Sequence, residues 1–313
     1  MSKPVPKISV VLPTYNRRDV LPRAIASVLA QDERDFELII VDDCSSDDTQ
    51  AYLASLTDMR IRTLRPAHNL GPAGARNFGL EAARADFVAF LDSDDVYLPK
   101  RLDASIAAFA RDRDVVAALS SCVRYDLKRE RVVRIPEMTL ASPQFEWALF
   151  SDLIGVDGSG ITVRRQTALE IGGFCQTLRC IEDREFLIRM ARRGRGHLIA
   201  EPLWAKYWST DGLSVQWERS GAQLVDYVAV RPEFTGEFRR LGSYFATKIL
   251  IADLRHGMFG VLWRDVRAFA KADLIDGNIV RLVRYHRQVR RYRREMSQPE
   301  RLATISGPPT DWH

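Results

Sequence analysis

The sequence predicts an α/β protein with a doubly wound, mostly parallel sheet and a helical extension at its C-terminal end. Three observations predict it. Short apolar runs of strand length alternate with helix-period segments from Lys7 to Asp95. Several of these runs stop abruptly in polar or acidic residues, as strands do where a sheet opens into a ligand crevice. Beyond Gln216 the alternation gives way to helical periodicity rich in arginine.

In chain order, Lys7 to Pro13 is a first strand, stopped by proline. Leu21 to Ala30 is a helix, with Leu21, Ile25, Val28 and Leu29 on one face. Phe36 to Val41 is a buried strand ending in Asp42-Asp43. Ser46 or Asp47 suits the N-cap of a helix over Thr49 to Leu56. Met59 to Leu64 is a third strand, and Gly71 to Arg84 a helix that Gly71-Pro72 opens. Asp86 to Leu91 is the next strand, apolar enough to be buried on both faces. Pro99 opens a helix through Phe109. Val115 to Tyr125 and Arg131 to Ile135 read as a hairpin or sheet edge, and Phe145 to Phe150 as a helix. Ile161 to Val163 is β-prone, Ile181 to Arg192 helical, and His197 to Ala200 and Leu203 to Trp208 are closing strands.

Composition narrows the class. Hydrophobic residues make up 46% and charged residues 28% of 313 positions, as in an ordinary globular protein. No apolar run has the length of about 18 residues that crosses a bilayer, and Met1 to Lys7 leads into a strand without the apolar core of a signal peptide. Cys44, Cys122, Cys175 and Cys180 lack zinc-site spacing and read as reduced thiols of a cytoplasmic protein. The net charge of +5 is uneven: Arg231 to Arg301 holds 16 basic against 8 acidic residues, so the rest is about −3. Seven arginines fall between Arg281 and Arg294 with no acid among them. A basic helix with apolar residues such as Val280, Val283 and Tyr285 suits peripheral contact with an anionic membrane; ion pairs with acids of the rest of the chain, or an oligomer contact, are the alternatives. Nothing in the sheet suggests nucleic acid.

The chemistry concentrates where strands end. Asp92-Ser93-Asp94-Asp95 puts three carboxylates within four residues. Such acids repel unless a cation sits between them, and Mg²⁺ or Mn²⁺ takes one or two protein carboxylates and fills its shell with phosphate oxygens. An acidic turn that caps the next helix is the structural alternative. Pro13-Thr14-Tyr15-Asn16-Arg17 and Asp42-Asp43 follow the first two strands, so all three motifs converge on one edge. There a tyrosine can stack on a base, a carboxylate can accept from a pyrimidine N–H, and an arginine can pair with phosphate. Asn69 to Asn77 brings glycines to a helix start, where backbone N–H groups can meet an anion, with Arg76 one turn in. It does not match the dinucleotide fingerprint G-x-G-x-x-G. Glu182-Asp183 opens a helix after Gly172-Gly173-Phe174, either as acids favoured by the helix dipole or with one as a general base.

Together these stretches resemble family 2 glycosyltransferases, inverting enzymes of GT-A fold that use nucleotide-diphospho-sugars. The matching segments are Ser9 to Arg17, Val41 to Thr49, Asn69 to Gly79, Phe90 to Asp95, and Gly172 to Asp183, within residues 7 to 215. The resemblance implies that Pro13, Tyr15 and Asp43 hold the nucleoside, UDP being favoured, and that Arg76 lies near the nucleotide. Thr14, Arg17, Ser93 and Glu182 fall in the same motifs and join the substrate-binding set. Asp92 and Asp94 form the D-x-D motif for Mn²⁺ or Mg²⁺, with Asp94 the direct ligand. Asp183 matches the base that activates an acceptor hydroxyl. An ordinary Asp, with a pKa of about 3.9, is a weak but ionised base at neutral pH. Tyr207 to Ser214 resembles the closing segment but lacks the basic residue or histidine often found there.

The expected layout is a catalytic domain over 1–220, a basic helical region over 221–296 and a disordered tail over 297–313. The expected reaction moves a sugar onto a saccharide or lipid-linked acceptor in polysaccharide or glycoconjugate synthesis. The expected location is the cytoplasm, either free or at the inner face of the membrane. A non-catalytic carbohydrate- or membrane-binding protein on this fold is the competing class. A sugar nucleotidylyltransferase is a weaker alternative, because Pro13 to Asn16 stands where its glycine-rich triphosphate loop would be.

Overall fold

The computed structural model describes residues 5–126, 129–178, 181–207, 220–232, 236, 239–275, 279–296 and 298–304. The first half runs β1 (Ile8–Thr14), α1 (Leu21–Leu29), β2 (Phe36–Asp42), α2 (Thr49–Ala54), β3 (Ile61–Leu64), α3 (Gly71–Ala82), β4 (Phe87–Phe90), β5 (Val96–Tyr97) and α4 (Arg101–Arg111). It continues with β6 (Val115–Asp126), β7 (Arg129–Val133), β8 (Met138–Leu140), α5 (Ser142–Phe150), β9 (Ile161–Arg164), α6 (Arg165–Glu170), α7 (Glu182–Ala191) and β10 (Arg195–Tyr207). Among the described residues the C-terminal part holds α8 (Ser220–Val230), α9 (Arg239–Arg255), α10 (Phe259–Lys271), α11 (Ile279–Met296) and α12 (Pro299–Thr304).

The strands form one ten-stranded sheet among the described residues, in the order β3-β2-β1-β4-β9-β6-β10-β5, with β7 beside β6 and β8 beside β10. The ladders of β1 with β2, β1 with β4, β2 with β3, and β6 with β10 are parallel and hold most of the registered pairs. Strand β9 runs antiparallel between β4 and β6, which restores a common direction across the sheet. The carboxyl ends of β1, β2, β4, β6 and β10 therefore share one edge with the start of β9. The expected hairpin appears as β6 with β7. The two expected closing strands are one strand, β10, whose register shifts near Pro202, where a proline cannot donate to the ladder.

Alternation along the strands divides the core. Val11, Ile39, Val41, Val88 and Phe90 face α3, α5 and α7. Val10, Leu12, Leu38, Ile40, Ala89 and Leu91 face α1 and α4. Leu224, Tyr227, Leu241, Tyr244, Phe269 and Leu302 from the C-terminal helices, with Leu274 just after α10, pack into the first of these layers. Within the helical periodicity read beyond Gln216, α9 and α10 are separate helices, because the chain turns at Gly257, with φ +69°. A helix with buried Leu302 stands within the stretch read as a loose tail; residues 305–313 lie outside the described ones. The N-cap of α2 is Asp48, without a side-chain capping bond, rather than the expected Ser46 or Asp47; Asp47 accepts the Thr49 N–H at 3.1 Å in the turn before the helix. Cys44, Cys122 and Cys175 are free thiols, and Cys180 lies outside the described residues. Among the described residues no helix is long and apolar enough to cross a membrane.

Helix α3 approaches the sheet through Gly79. A Cβ at Gly79 would overlap Val11 Cγ1 and lie 3.2 Å from Val41 Cγ2. We expect Gly79→Ala to destabilise the fold by about 1–3 kcal/mol through overpacking, read by urea denaturation. Gly79→Ala/Val11→Ala should fall short of the summed single effects, because Val11→Ala vacates the contested space.

Candidate active site at the carboxyl edge of the sheet

The loops after β1, β2 and β4 and the start of α7 meet at this edge. Asp43 follows β2, and its N–H donates to the Thr14 carbonyl at 2.8 Å. It is 3% exposed. Its Oδ1 accepts the Leu70 N–H at 2.7 Å and its Oδ2 the Gly71 N–H at 2.9 Å. Asn69 Nδ2 donates to the Asp43 carbonyl at 2.8 Å. The glycine turn therefore spends its first N–H groups on a carboxylate of the chain, where an external anion was expected. Burial raises the Asp43 pKa, against the pull of those two N–H groups. Asp42, read with Asp43 as one motif, instead pairs with Arg65 and accepts the Ser45 N–H.

Arg76, on the second turn of α3, lies buried between two motifs. Its Nη2 donates to Asp92 Oδ1 and its Nη1 to Glu182 Oε1, both at 2.6 Å. Burial alone would lower its pKa, but Asp92 and Glu182 outweigh burial and raise it. Its guanidinium lies 5.5 Å from the Phe174 ring centre. The expected contact of Arg76 with a nucleotide thus competes with two internal carboxylates. Gly158 packs here, where a Cβ would stand 3.1 Å from Arg76 Nη2 and 3.3 Å from the Asp92 carboxylate.

The three acids after β4 differ. Burial opposes the charge of Asp92, and Arg76 then Lys206 overcome it, so its pKa is lowered. Its N–H donates to Ser159 Oγ at 3.0 Å, and that hydroxyl donates to Asp95 Oδ2 at 2.6 Å. Asp95 is 2% exposed, and its Oδ1 has no partner. Burial and the charges of Asp92 and Asp94 push its pKa well up, against Lys206 and the Ser159 hydroxyl. Asp94 is half-buried; burial and Asp92 raise it, while Arg17 and Lys206 pull the other way. Ser93 is buried between them.

Asp183 is the second residue of α7 and half-buried. Its Oδ1 accepts the Arg184 N–H at 2.7 Å. Burial, Glu182 and Asp157 raise it to about 7, against Arg76 and Arg184. It is therefore a stronger base than the ordinary Asp that the sequence suggests. Ile181, just before α7, holds φ +60°, which a β-branched residue rarely adopts. At the β1 end, Thr14 is buried with an unpartnered hydroxyl, Pro13 and Arg17 are half-buried, and Tyr15 is 49% exposed.

Three further residues belong here that sequence reasoning did not select. Lys206 Nζ meets Asp157 Oδ1 at 2.9 Å, and Arg124 Nη2 meets Asp157 Oδ2 at 2.5 Å. Burial acts against the Lys206 charge, and Asp157, Asp95 and Asp92 outweigh burial to raise its pKa. Lys206 directly precedes Tyr207, the first residue of the expected closing segment, so a basic residue was one position away. Its signal was adjacency; that of Asp157 was the glycine run Gly158-Ser159-Gly160 after it. Residues 208–214 of that segment lie outside the described residues.

No group of three His, Cys, Asp or Glu side chains forms a metal cage among the described residues. Asp94 offers a partly open carboxylate whose charge burial and Asp92 disfavour, and Asp95 an unpartnered buried oxygen. One or two hard oxygen donors of this kind fit a Mg²⁺ or Mn²⁺ ion that takes its other ligands from phosphate and water. Asp92 fits that role less directly, because its Oδ1 is occupied by Arg76.

A family model described as "Glycosyl transferase family 2" matches residues 9–170. The succinoglycan biosynthesis protein ExoO of Rhizobium meliloti is 42% identical over 144 residues, 44% of this chain and 41% of that protein. The UDP-Glc:alpha-D-GlcNAc-diphosphoundecaprenol beta-1,3-glucosyltransferase WfgD of Escherichia coli is 37% identical over 105 residues, 34% of this chain and 42% of that protein. The chain thus spans about four-tenths of the length of each of these two relatives. Among solved structures, S. aureus TarS 1-349 in complex with UDP-GlcNAc has TM-score 0.62 at 18% identity and covers 92% of both chains. The mannosyltransferase PcManGT of Pyrobaculum calidifontis, with GDP-Man and Mn²⁺, has TM-score 0.57 at 19% identity, covering 96% of this chain and 84% of that one. Both likenesses are of fold, the GT-A arrangement.

Arg76 supplies the prediction. Arg76→Met leaves Asp92 and Glu182 facing each other without their cation. We expect a loss of about 3–5 kcal/mol at pH 7. The lowered pKa of Asp92 means that its contribution is present above the ordinary carboxylate range and lost as pH falls through its folded value. The gap between wild type and Arg76→Met should therefore narrow toward pH 4 and below. Urea unfolding across that range checks it, and a gap that does not depend on pH contradicts it.

Proposed function

The chain belongs to glycosyl transferase family 2, and we propose that it moves a sugar from a nucleotide-diphospho-sugar, UDP-linked, onto an acceptor hydroxyl with inversion. The observation that carries this reading is the Arg76 bridge to Asp92 and Glu182, both at 2.6 Å, which sets Asp183 at the edge where the acids after β4 lie.

In this reading Tyr15 stacks on the base, Pro13 and Thr14 wall the nucleoside site, and Asp43 recognises the ring through the lone pairs left after Leu70 and Gly71. Arg17 and Ser93 lie on the diphosphate side. Asp94, with Asp92 or Asp95 beside it, would hold a divalent ion. Such an ion would supply charge neutralisation for the leaving diphosphate. Lys206 adds a fixed cation on the same side. Arg76 orients Asp92 and Glu182 rather than binding donor directly. Asp183 takes the acceptor proton as the acceptor oxygen attacks the anomeric carbon from the face opposite the diphosphate. Proton transfer of this kind contributes about 10² to 10⁴ in rate.

The name of the Escherichia coli relative points to an undecaprenol-linked acceptor. We extend that to this chain as a saccharide or lipid-linked acceptor met at the cytoplasmic face of a membrane. The exposed arginines of α11, Arg284, Arg287 and Arg290, with exposed Val280 and Val283, fit peripheral contact there.

Two outcomes test the chemistry. Asp94→Ala should abolish Mn²⁺-dependent protection of the protein by nucleotide in thermal shift while the metal-free melting point holds; unchanged protection refutes the assignment. Asp183→Asn should lower turnover about 10²-fold or more with donor binding near normal, and kcat/KM of the wild type should rise with pH through an apparent pKa near 7. Because the folded pKa of Asp183 lies above the unfolded one, the native state holds the extra proton between them and stability falls as pH rises. Asp183→Asn should therefore melt higher than wild type at pH 8, with the difference vanishing near pH 4. If Glu182→Gln is the inactive variant and Asp183→Asn is not, the base is misassigned.

A further inference from the structure

Helix α10 carries two of its three aromatic residues outward. Trp263 is 64% and Phe259 60% exposed, one turn apart, and Leu254 near the end of α9 is 56% exposed. On the opposite side Phe269 is fully buried, and Asp265 is 1% exposed against Gly221, where no Cβ would fit. An ordinary amphipathic helix does the reverse, turning apolar residues to the core and acids to water.

The outward face continues as Arg267, Ala270 and Lys271, with Arg264 beside Trp263 and paired to Asp265. Asp265, the acid of this helix, is buried, so the outward face holds none. Arg255 and His256 border Leu254 in the turn that Gly257 makes, and both are exposed. Aromatic and aliphatic side chains ringed by cations are what a helix lying in a membrane interface presents. Anionic lipid then adds attraction for each nearby basic residue. A second copy of the chain fits poorly, because a two-fold contact through this face would bring the cations of both copies together with no acid of the helix to pair with them.

We propose that the α9–α10 turn and the outward face of α10 dock on an anionic bilayer. Leu254, Phe259 and Trp263 enter the headgroup boundary, and Arg255, Arg267 and Lys271 lie over the lipid phosphates. The site is distinct from α11, whose arginines add longer-range attraction. Its purpose, presenting the sheet edge to a lipid-linked acceptor, rests on the transferase reading; the docking itself is measured without turnover.

The full chain is sedimented with phosphatidylcholine vesicles that contain or lack phosphatidylglycerol. The wild type should bind the anionic vesicles, with a blue shift of Trp263 emission that Trp263→Phe removes while keeping most of the binding. Phe259→Ser/Trp263→Ser should weaken partitioning by about tenfold per aromatic residue, and nucleotide protection in thermal shift should be unchanged. Equal binding by that variant, equal binding to neutral vesicles, or a wild-type dimer in light scattering that the variant loses would each overturn the proposal. If the wild type binds vesicles but no nucleotide-sugar, the transferase reading fails and the docking stands.

Discussion

One buried guanidinium ties the site together. Arg76 joins the loop that ends β4 to the first turn of α7, through Asp92 on one side and Glu182 on the other. Glu182 lies 106 residues along the chain from Arg76, and Asp92 lies 16. Without a cation between them, two carboxylates at this depth repel and lose most of their hydration. With it, the acidic edge and the helix that carries Asp183 are fixed in one relation. Gly158 leaves the room the pairing needs, and Ser159 links Asp92 to Asp95 behind it.

The acids of the chain separate into two kinds by how their charge is met. Glu37 lies at the other end of β2 and is buried, but the Ser9 hydroxyl, Arg62 and Arg84 surround it, and these contacts outweigh burial and lower its pKa. Its work is to hold β1, β3 and the end of α3 together. Asp94, Asp95 and Asp183 sit where burial and neighbouring acids exceed the compensation, so their pKa values rise. Uncompensated carboxyl groups cost stability and persist where a ligand or a proton is to be bound. That contrast, rather than the number of acids, distinguishes the candidate site from structural ion pairs.

Much of this arrangement could be read from residues. Continuous apolar runs gave β1, β2 and β4, because strands buried on both faces leave no room for polar residues, and parallel strands put their trailing motifs on one edge. The D-x-D motif stood out because acids rarely close such runs, and Glu182-Asp183 because it opens a helix after Gly172-Gly173-Phe174. Other features escaped for physical reasons. Lys206 and Asp157 lie on elements without a local signature and meet only through the β6–β10 ladder. Arg76 looked like a ligand for an anion, since a sequence does not show that two carboxylates from distant loops reach it first. The glycine turn after β3 likewise looked open to an external anion, but its N–H groups are taken by Asp43. The antiparallel β9 in the middle of the sheet was readable only as β-prone, because strand direction is a property of the whole topology.

The central claim is that Asp183 drives a single displacement at the anomeric carbon from the face opposite the diphosphate. Water is the simplest acceptor, so the slow hydrolysis of an α-linked UDP-sugar by the full chain with Mn²⁺ can be followed by proton NMR before the released sugar mutarotates. The account predicts that the β-anomer appears first. Release of the α-anomer first would mean retention, through a front-face or two-step route, and would contradict it.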